Sequence, residues 1–448
     1  MSKPVDPQVA EEFRRVEKEL TARFPESRPQ PSLDRIRALV DLLGEPQRAY
    51  PVIHVTGTNG KTSTSRMIDT LLRAFNLRTG RYTSPHVESV TERISIDGEP
   101  ISVARFVETY DDVAPYVRLV DAQQPVRMSY FEVLVGMAYA AFADAPVDVA
   151  VVEVGMGGAW DATNVADGQV AVVTPISLDH THYLGDTTEQ IAREKAGIIK
   201  PGTLAILAQQ PLDAAQVLLR RAVEVDATVA REGLEFGVLR RDVAMGGQLL
   251  RLQGLGGVYD EVFLPLHGAH QAHNASCALA AVEAFFGGKQ QLDADVVRQA
   301  FATVTSPGRL EVVRRGPTVL LDAAHNPAGA RATAEALTEA FTFTRLVGVI
   351  GMMGDKDVQG VLEAFEPVLD QVVVTQAATD RALPAGELAE VAREVFGEHR
   401  VEVALRMDDA LDTAIRLAEE EGELGGGGVL VTGSVVTVGE ARRLVRKS

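Results

Sequence analysis

Cysteine is almost absent: Cys277 is the only one in 448 residues, so neither an intrachain disulfide nor a cysteine-ligated metal cluster can form. Its neighbours, Ala275-Ser276 and Ala278-Leu279-Ala280, read as one packed helix, and a buried, unreactive thiol is expected. No apolar run approaches the roughly 20 residues that a bilayer-crossing helix needs. The stretch from Met1 to Gln8 also lacks the apolar core of a secretion signal, so a cytoplasmic protein is expected. Cations are scarce relative to anions, 44 Lys+Arg against 62 Asp+Glu, a formal net charge of -18. Such a balance disfavours nucleic acid and anionic membrane as partners, because phosphate backbones require clustered positive charge. An anionic small molecule must then be held by local cations.

What is present is an ordinary globular composition, 46% hydrophobic and 24% charged, in a chain longer than one core usually serves. Strand-like and helix-like segments alternate, which predicts α/β layers around mainly parallel sheets. Strands are predicted at Pro51 to Val55, Val147 to Val154 and Gln169 to Thr174, and an alanine-rich helix at Ala269 to Phe286, ended by Gly287-Gly288. A second series follows Ser306-Pro307-Gly308-Arg309, with strands at Thr318 to Leu321, Arg345 to Ile350, Gln371 to Thr375, Val401 to Leu405 and Gly428 to Thr432. The run Gly425 to Gly428 is predicted as a turn into the last of these. The expected fold is therefore two α/β domains. A P-loop ATPase-like domain with a mainly parallel sheet covers residues 1–305, and a smaller Rossmann-like domain covers 306–448.

The strongest single signal is the run from Thr56 to Ser63, Thr-Gly-Thr-Asn-Gly-Lys-Thr-Ser. A short apolar strand leads into it, and helical spacing through Met67, Ile68, Leu71 and Leu72 leads out. Strand, glycine loop, Lys-Thr and helix in that order make an anion cradle from backbone N–H groups. Lys61 is placed to reach the outer phosphates of ATP, and Thr62 or Ser63 to offer a hydroxyl to Mg²⁺. Thr58, Asn59 and Gly60 complete the ATP loop. The spacing departs from the common P-loop, with two residues rather than four between Gly57 and Gly60.

Gly57-Thr-Asn-Gly-Lys-Thr62 resembles the loop of the Mur ligase superfamily, ATP-dependent enzymes that join an amino acid to a carboxylate. Further runs narrow the resemblance to the folylpolyglutamate synthase/dihydrofolate synthase family. They are Thr83-Ser84-Pro85-His86, Tyr130-Phe131-Glu132, Glu153-Val-Gly-Met-Gly-Gly158, Asp161-Ala-Thr-Asn164, Leu178-Asp-His180 and Arg193-Glu-Lys-Ala-Gly197. Gly268-Ala-His-Gln271 with Asn274, Pro307-Gly-Arg309, Asp322-Ala-Ala-His-Asn-Pro327 and Thr432-Gly-Ser434 continue the order nearly to the end of the chain. Cell-wall Mur ligases carry a nucleotide-sugar domain ahead of the loop; the residues before Thr56 suffice for a helix or two, which makes that reading the second choice. A non-catalytic ATP-binding protein on the same frame is the third, and intact Lys61, Glu153, His180 and Lys195 speak against it.

The resemblance implies a reaction in which a folate carboxylate takes the γ-phosphate of ATP and the acyl phosphate is attacked by the amino group of L-glutamate. Lys61, Glu153, His180 and Lys195 are the implied catalytic set. Two Mg²⁺ sites are implied, Thr62 beside the nucleotide and Ser84, Glu153 and His180 at the second, and a monovalent cation such as K⁺ is admitted. Lys195 matches a lysine often carbamylated in the superfamily, the alternative being a plain lysine on phosphate. Asn274 matches an adenine contact, and Arg309 and Asp322 match partners of phosphates and ribose. Phe131, Asp161 and Ala162 fall where dihydropteroate contacts lie, with His325 and Asn326 on the glutamate and phosphate side. The partners are thus ATP, L-glutamate and a reduced folate or dihydropteroate, on a monomer. Two departures stand out: Ala159-Trp160 replace a basic residue and leucine, and His182 replaces a carboxylate.

Overall fold

The computed structural model describes residues 6–26, 30–419 and 426–446. Buried Val and Ile runs form the strands of an eight-stranded sheet centred on Val52–Thr56, all five of whose residues are buried. Val149–Glu153 and Gly168–Val173 flank it, both parallel to it. Thr79–Tyr82 continues in parallel beyond Val149–Glu153, and Leu204–Leu207 and Thr228–Arg231 extend the other side. Only the edge pair Ile94–Ile96 and Glu99–Pro100 runs antiparallel. Strands buried on both faces lose their alternation and read as continuous apolar runs, which is why the sequence exposes them.

A second sheet has six strands. Thr318–Leu321, Gly427–Thr432, Arg345–Ile350, Gln371–Val374 and Val401–Val403 are parallel in that spatial order, and Glu311–Arg314 closes one edge antiparallel. Gly427 and Gly428 lie inside a strand rather than in the expected turn, while Gly425 is outside the described residues. Helices Pro7–Thr21 and Asp34–Leu42 precede the phosphate loop.

Sequence reading missed a three-stranded antiparallel sheet, Gly237–Ala244, Gly247–Gln253 and Val258–Leu264. Its strands carry Arg, Asp and Gln on a solvent face, so no apolar run marks them.

In open parallel sheets, sites form beyond the carboxyl ends of strands. Here both large sheets present those ends to one another: Gly57, Ser84, Val154 and Thr174 leave the first, and Asp322, Gly351 and Gly433 leave the second. The contact is close at Val435–Val445, a helix whose Gly439 would, with a Cβ, overlap the Val87 carbonyl of the first body. Beside it Arg442 bridges Glu88 and Glu311. Gly439→Ala sets a helix-propensity gain of about 1 kcal/mol against overpacking of about 1–3 kcal/mol. A net loss of unfolding free energy is expected in chemical denaturation, and a gain would show that the helix is free to shift.

Candidate active site

Gly57 and Gly60 both adopt positive φ, 143° and 89°, a conformation that side chains resist. They turn the chain from the central strand directly into the helix Lys61–Ala74. No side chain caps that helix, so its first-turn N–H groups remain for an anion. The amides of Thr58 and Asn59 are not part of that supply, since both donate to the Pro175 carbonyl. Thr58 Oγ1 locks the loop further through Ser177.

Lys61 is the first helical residue rather than a loop residue, and its Nζ turns back to donate to the Gly57 and Thr58 carbonyls at 3.0 and 3.1 Å. Burial lowers its ammonium pKa, with Glu153 and Asp179 opposing. Of the two candidate hydroxyls, Thr62 is the one aimed at an acid: its Oγ1 donates to Glu153 Oε1 at 2.9 Å. Ser63 instead bonds Ser306 and accepts from Gln271, so its hydroxyl joins the loop to the start of the second series. Glu153 ends a buried strand, its Oε2 is buried with no partner, and burial raises its pKa against the pull of Lys61. An orphan carboxylate oxygen beside a hydroxyl is a donor set that fits a hard cation with several waters. Among the described residues no cluster of three or more His, Cys, Asp or Glu offers a fuller cage.

These groups line a cavity of about 530 Å³ together with Ser84, His180, Lys195, Asn274, Arg309, Asp322 and His325. Asn274 lies over Gly60, and its Nδ2 donates to Gln271. Arg309 donates to the Gly308 carbonyl. Asp322 is occupied: it accepts from Leu310 N, Ala324 N and Thr333 Oγ1, which makes it the anchor of its loop. Lys195 is buried and donates to the same Gly57 carbonyl as Lys61, at 2.9 Å. Burial, with the Lys61 charge, pushes its pKa down to about 7. His180 stands at φ 51°, and burial brings its imidazole down to about 3, leaving a lone pair free for a metal or a proton. His182, its rival in sequence, is exposed and lines neither cavity.

A second cavity, about 320 Å³, holds Phe131, Trp160, Asp161, Ala162 and Tyr183. Both volumes fall in the range of small-molecule sites. The Phe131 ring packs edge-on to Tyr82, 6.0 Å between centroids, which leaves it fixed at the wall. Trp160 reaches this cavity, and its backbone N–H donates to Glu194 Oε1 at 3.0 Å, next to Lys195. Asp161 accepts from Met156 N, Thr163 N and Thr163 Oγ1. The two cavities share Ser84, Gly155, His180 and His325 as a common wall.

Asn326 corrects expectation. It lines neither cavity, caps the helix Pro327–Ala340, and ties Asn59 to Asp179. Asp179, quoted in a motif but given no role, is the junction: Lys356 Nζ lies 2.5 Å away and His325 Nε2 3.3 Å. Burial would raise this carboxyl, yet His325, His180 and Lys356 hold it well below the usual carboxylate range. Lys356 was also missed; its only signal is a lysine after a strand in Gly351-Met-Met-Gly-Asp-Lys356.

Fold and site together define a Mur-type α/β ligase: residues 55–282 match the Mur ligase middle domain and residues 308–435 the Mur ligase glutamate ligase domain. The dihydrofolate synthase/folylpolyglutamate synthase of Mycobacterium tuberculosis is 56% identical over 452 residues, 96% of this chain and 93% of that protein. Mycobacterium tuberculosis folylpolyglutamate synthase complexed with ADP superposes with a TM-score of 0.94, covering 98% of this chain and 99% of that one at 56% identity. Escherichia coli FolC in complex with DHPP and ADP gives a TM-score of 0.86 at 29% identity, covering 99% and 100%. The chain belongs to the folylpolyglutamate synthase/dihydrofolate synthase family.

The perturbed Lys195 has a measurable consequence. Its folded-state pKa lies below its ordinary 10.5, so between about 7 and 10.5 the unfolded chain binds the extra proton. Its contribution to stability therefore rises with pH through that window. The denaturation midpoint of the wild type, relative to Lys195→Met in CO₂-free buffer, should increase from pH 7 to pH 9. A difference flat with pH would show that the amine is not desolvated.

Proposed function

We propose that this chain is an ATP-dependent ligase that adds L-glutamate to a folate carboxylate through an acyl phosphate. The observation that carries it is the shared wall of Ser84, Gly155, His180 and His325 between the phosphate-loop cavity and the partly aromatic one. Two substrates seated on either side would meet at that wall, to which Pro85, Met156 and Val435 also belong. A carboxylate oxygen of the folate attacks the γ-phosphorus, and the bond to ADP breaks. The glutamate nitrogen then attacks the acyl carbon, loses its proton, and inorganic phosphate leaves. Both steps gather negative charge on phosphoryl oxygens, so fixed cations supply much of the catalysis.

In this reading Lys61 swings from the Gly57 and Thr58 carbonyls to the phosphates, and Arg309 approaches them from the second series. Thr62, Glu153, Ser84 and His180 would hold Mg²⁺, which when bound neutralises and orients phosphoryl oxygens. Phe131, Trp160, Asp161 and Ala162 would bind the pterin, with tetrahydrofolate and dihydropteroate the two substrates to compare. Two domains, residues 1–305 and 306–448, belong to the same proposal, closing over ATP at Ser306 to Arg309. Lys195 fits carbamylation because an amine titrating near 7 is largely neutral at slightly alkaline pH, and only the neutral amine attacks CO₂.

Purified protein given ATP, L-glutamate and tetrahydrofolate should release ADP only when all three are present. Release without glutamate, or none with either tetrahydrofolate or dihydropteroate, would overturn the ligase assignment. Lys61→Ala should lower turnover by about a hundredfold or more at saturating ATP, with little change in thermal midpoint. Near-normal turnover would remove Lys61 from the chemistry.

Intact mass measured in bicarbonate should show one added CO₂ that Lys195→Ala lacks, and small carboxylates should partly restore activity to that variant. Absence of both leaves Lys195 a plain lysine.

A further inference from the structure

His54 is a buried titratable group to which the reaction above gives no task. It is the third residue of the central strand and has no solvent exposure. Side chains alternate along a strand. Ile53 and Val55 therefore face the core beneath the phosphate-loop helix, while Val52, His54 and Thr56 face the opposite layer. From that side Thr56 Oγ1 donates to the Gly157 carbonyl at 2.8 Å, and His54 Nε2 lies 2.9 Å from Thr163 Oγ1. The register neighbours of His54, Val152 and Ala171, are aliphatic, so an imidazole here costs stability unless it is bonded.

Hydrogen counting sets the direction of the chain. Thr163 Oγ1 lies 2.5 Å from Asp161 Oδ1. Burial raises this carboxyl's pKa, the three hydrogen bonds it accepts and the Lys195 charge oppose that rise, and in the ionised form they favour it only accepts. The single hydroxyl proton therefore goes to Asp161, and the hydroxyl oxygen accepts from His54. That assigns the proton of the imidazole to Nε2, while Nδ1 is buried without a partner. Burial, assisted by the Lys200 charge, brings the imidazole down to about 3, so it stays neutral. The Tyr139 hydroxyl donates to the Thr163 carbonyl at 2.6 Å and holds the backbone of the relay. Asp161 Oδ1 is filled by Thr163 N and Oγ1, whereas Oδ2 accepts only from Met156 N and keeps an open site. Asp161 is a wall residue of the second cavity.

We propose that His54 is a positioning residue for the ring-binding end of the reaction. Its Nε2–H turns the Thr163 hydroxyl onto Asp161 and so sets the carboxylate with its open site toward an N–H donor of a pterin-type ring. This rests on the folate reading of the second cavity. With His54 removed, the hydroxyl oxygen loses its donor, and the bond it gives to Asp161 loses the alignment and polarisation that donor supplies. The effect belongs to ring binding and not to ATP, whose loop the relay does not touch.

The test is steady-state kinetics on the full chain with tetrahydrofolate, ATP and L-glutamate. His54→Leu and Thr163→Val should each raise the KM for tetrahydrofolate about tenfold, the scale of one hydrogen bond to a charged group. The KM values for ATP and glutamate should stay within twofold, and the double variant should be no worse than either single one. His54→Gln, whose side-chain N–H reaches the same place, should return the tetrahydrofolate KM toward wild type. If His54→Leu does not fold, Thr163→Val decides alone. An unchanged tetrahydrofolate KM, or an equal rise in the KM for ATP, overturns the relay, as does failure of His54→Gln to rescue. Asp161→Asn separates the two layers of the argument. A raised tetrahydrofolate KM there, with Thr163→Val unaffected, ends the relay but keeps the folate reading. An unchanged KM in Asp161→Asn ends both.

Discussion

One buried carboxylate joins the two halves of this site. Asp179 leaves the first sheet after the strand Gly168–Val173 and receives Lys356 and Asn326 from loops of the second, with His325 beside it. A buried charge is tolerated only when it is paired and bonded, so Asp179 is stable only while both sheets present their loops to it. The same pairing brings His325 into the wall common to both cavities and sets Asn326 against Asn59 of the phosphate loop. Together with the Asn59–Asn326 and Arg442–Glu88 contacts, that side chain makes the ends of two sheets one site.

A second set of contacts holds the first half of the site together. The Gly57 carbonyl accepts from both Lys61 and Lys195, so two cations converge on the turn where phosphates would sit. Thr56 holds the Gly157 carbonyl, and Trp160 N is held by Glu194. Gly158 is packed so closely on the Lys195 segment that a Cβ would stand 2.9 Å from Lys195 Cα. Direct contacts thus tie Lys195 to the phosphate loop on one side and to the turn at the second cavity on the other. Local positive groups of this kind let a protein of net charge -18 hold a polyanion.

How far a residue could be read depended on what surrounds it. The placement of Lys61, Thr62 and Glu153 was legible because it is local: a strand end, a glycine turn and a helix start lie within or beside each motif. Ser63 and Thr62 are adjacent and chemically alike. Only the arrival of Ser306 and Gln271 on one of them, and Glu153 on the other, separates their roles. Asn326 belonged to a motif full of polar residues, yet its amide is consumed by capping and by Asn59. His180 and His182 differ in sequence by two positions, and in the structure the first is half-buried in the shared wall while the second is exposed and lines neither cavity.

The sequence by itself determined the parallel α/β layering, the phosphate loop with its helix, and the family, because each rests on short-range pattern: buried apolar runs, glycine placement and ordered motifs. Tertiary structure alone decided which hydroxyl faces Glu153, that Asp179 meets Lys356 from the far sheet, and that His54 reaches Asp161 through Thr163. The physical reason is that hydrogen bonds act over about 3 Å. Asp179 and Lys356 lie 177 positions apart in the chain, a separation closed only by packing the two sheets end to end.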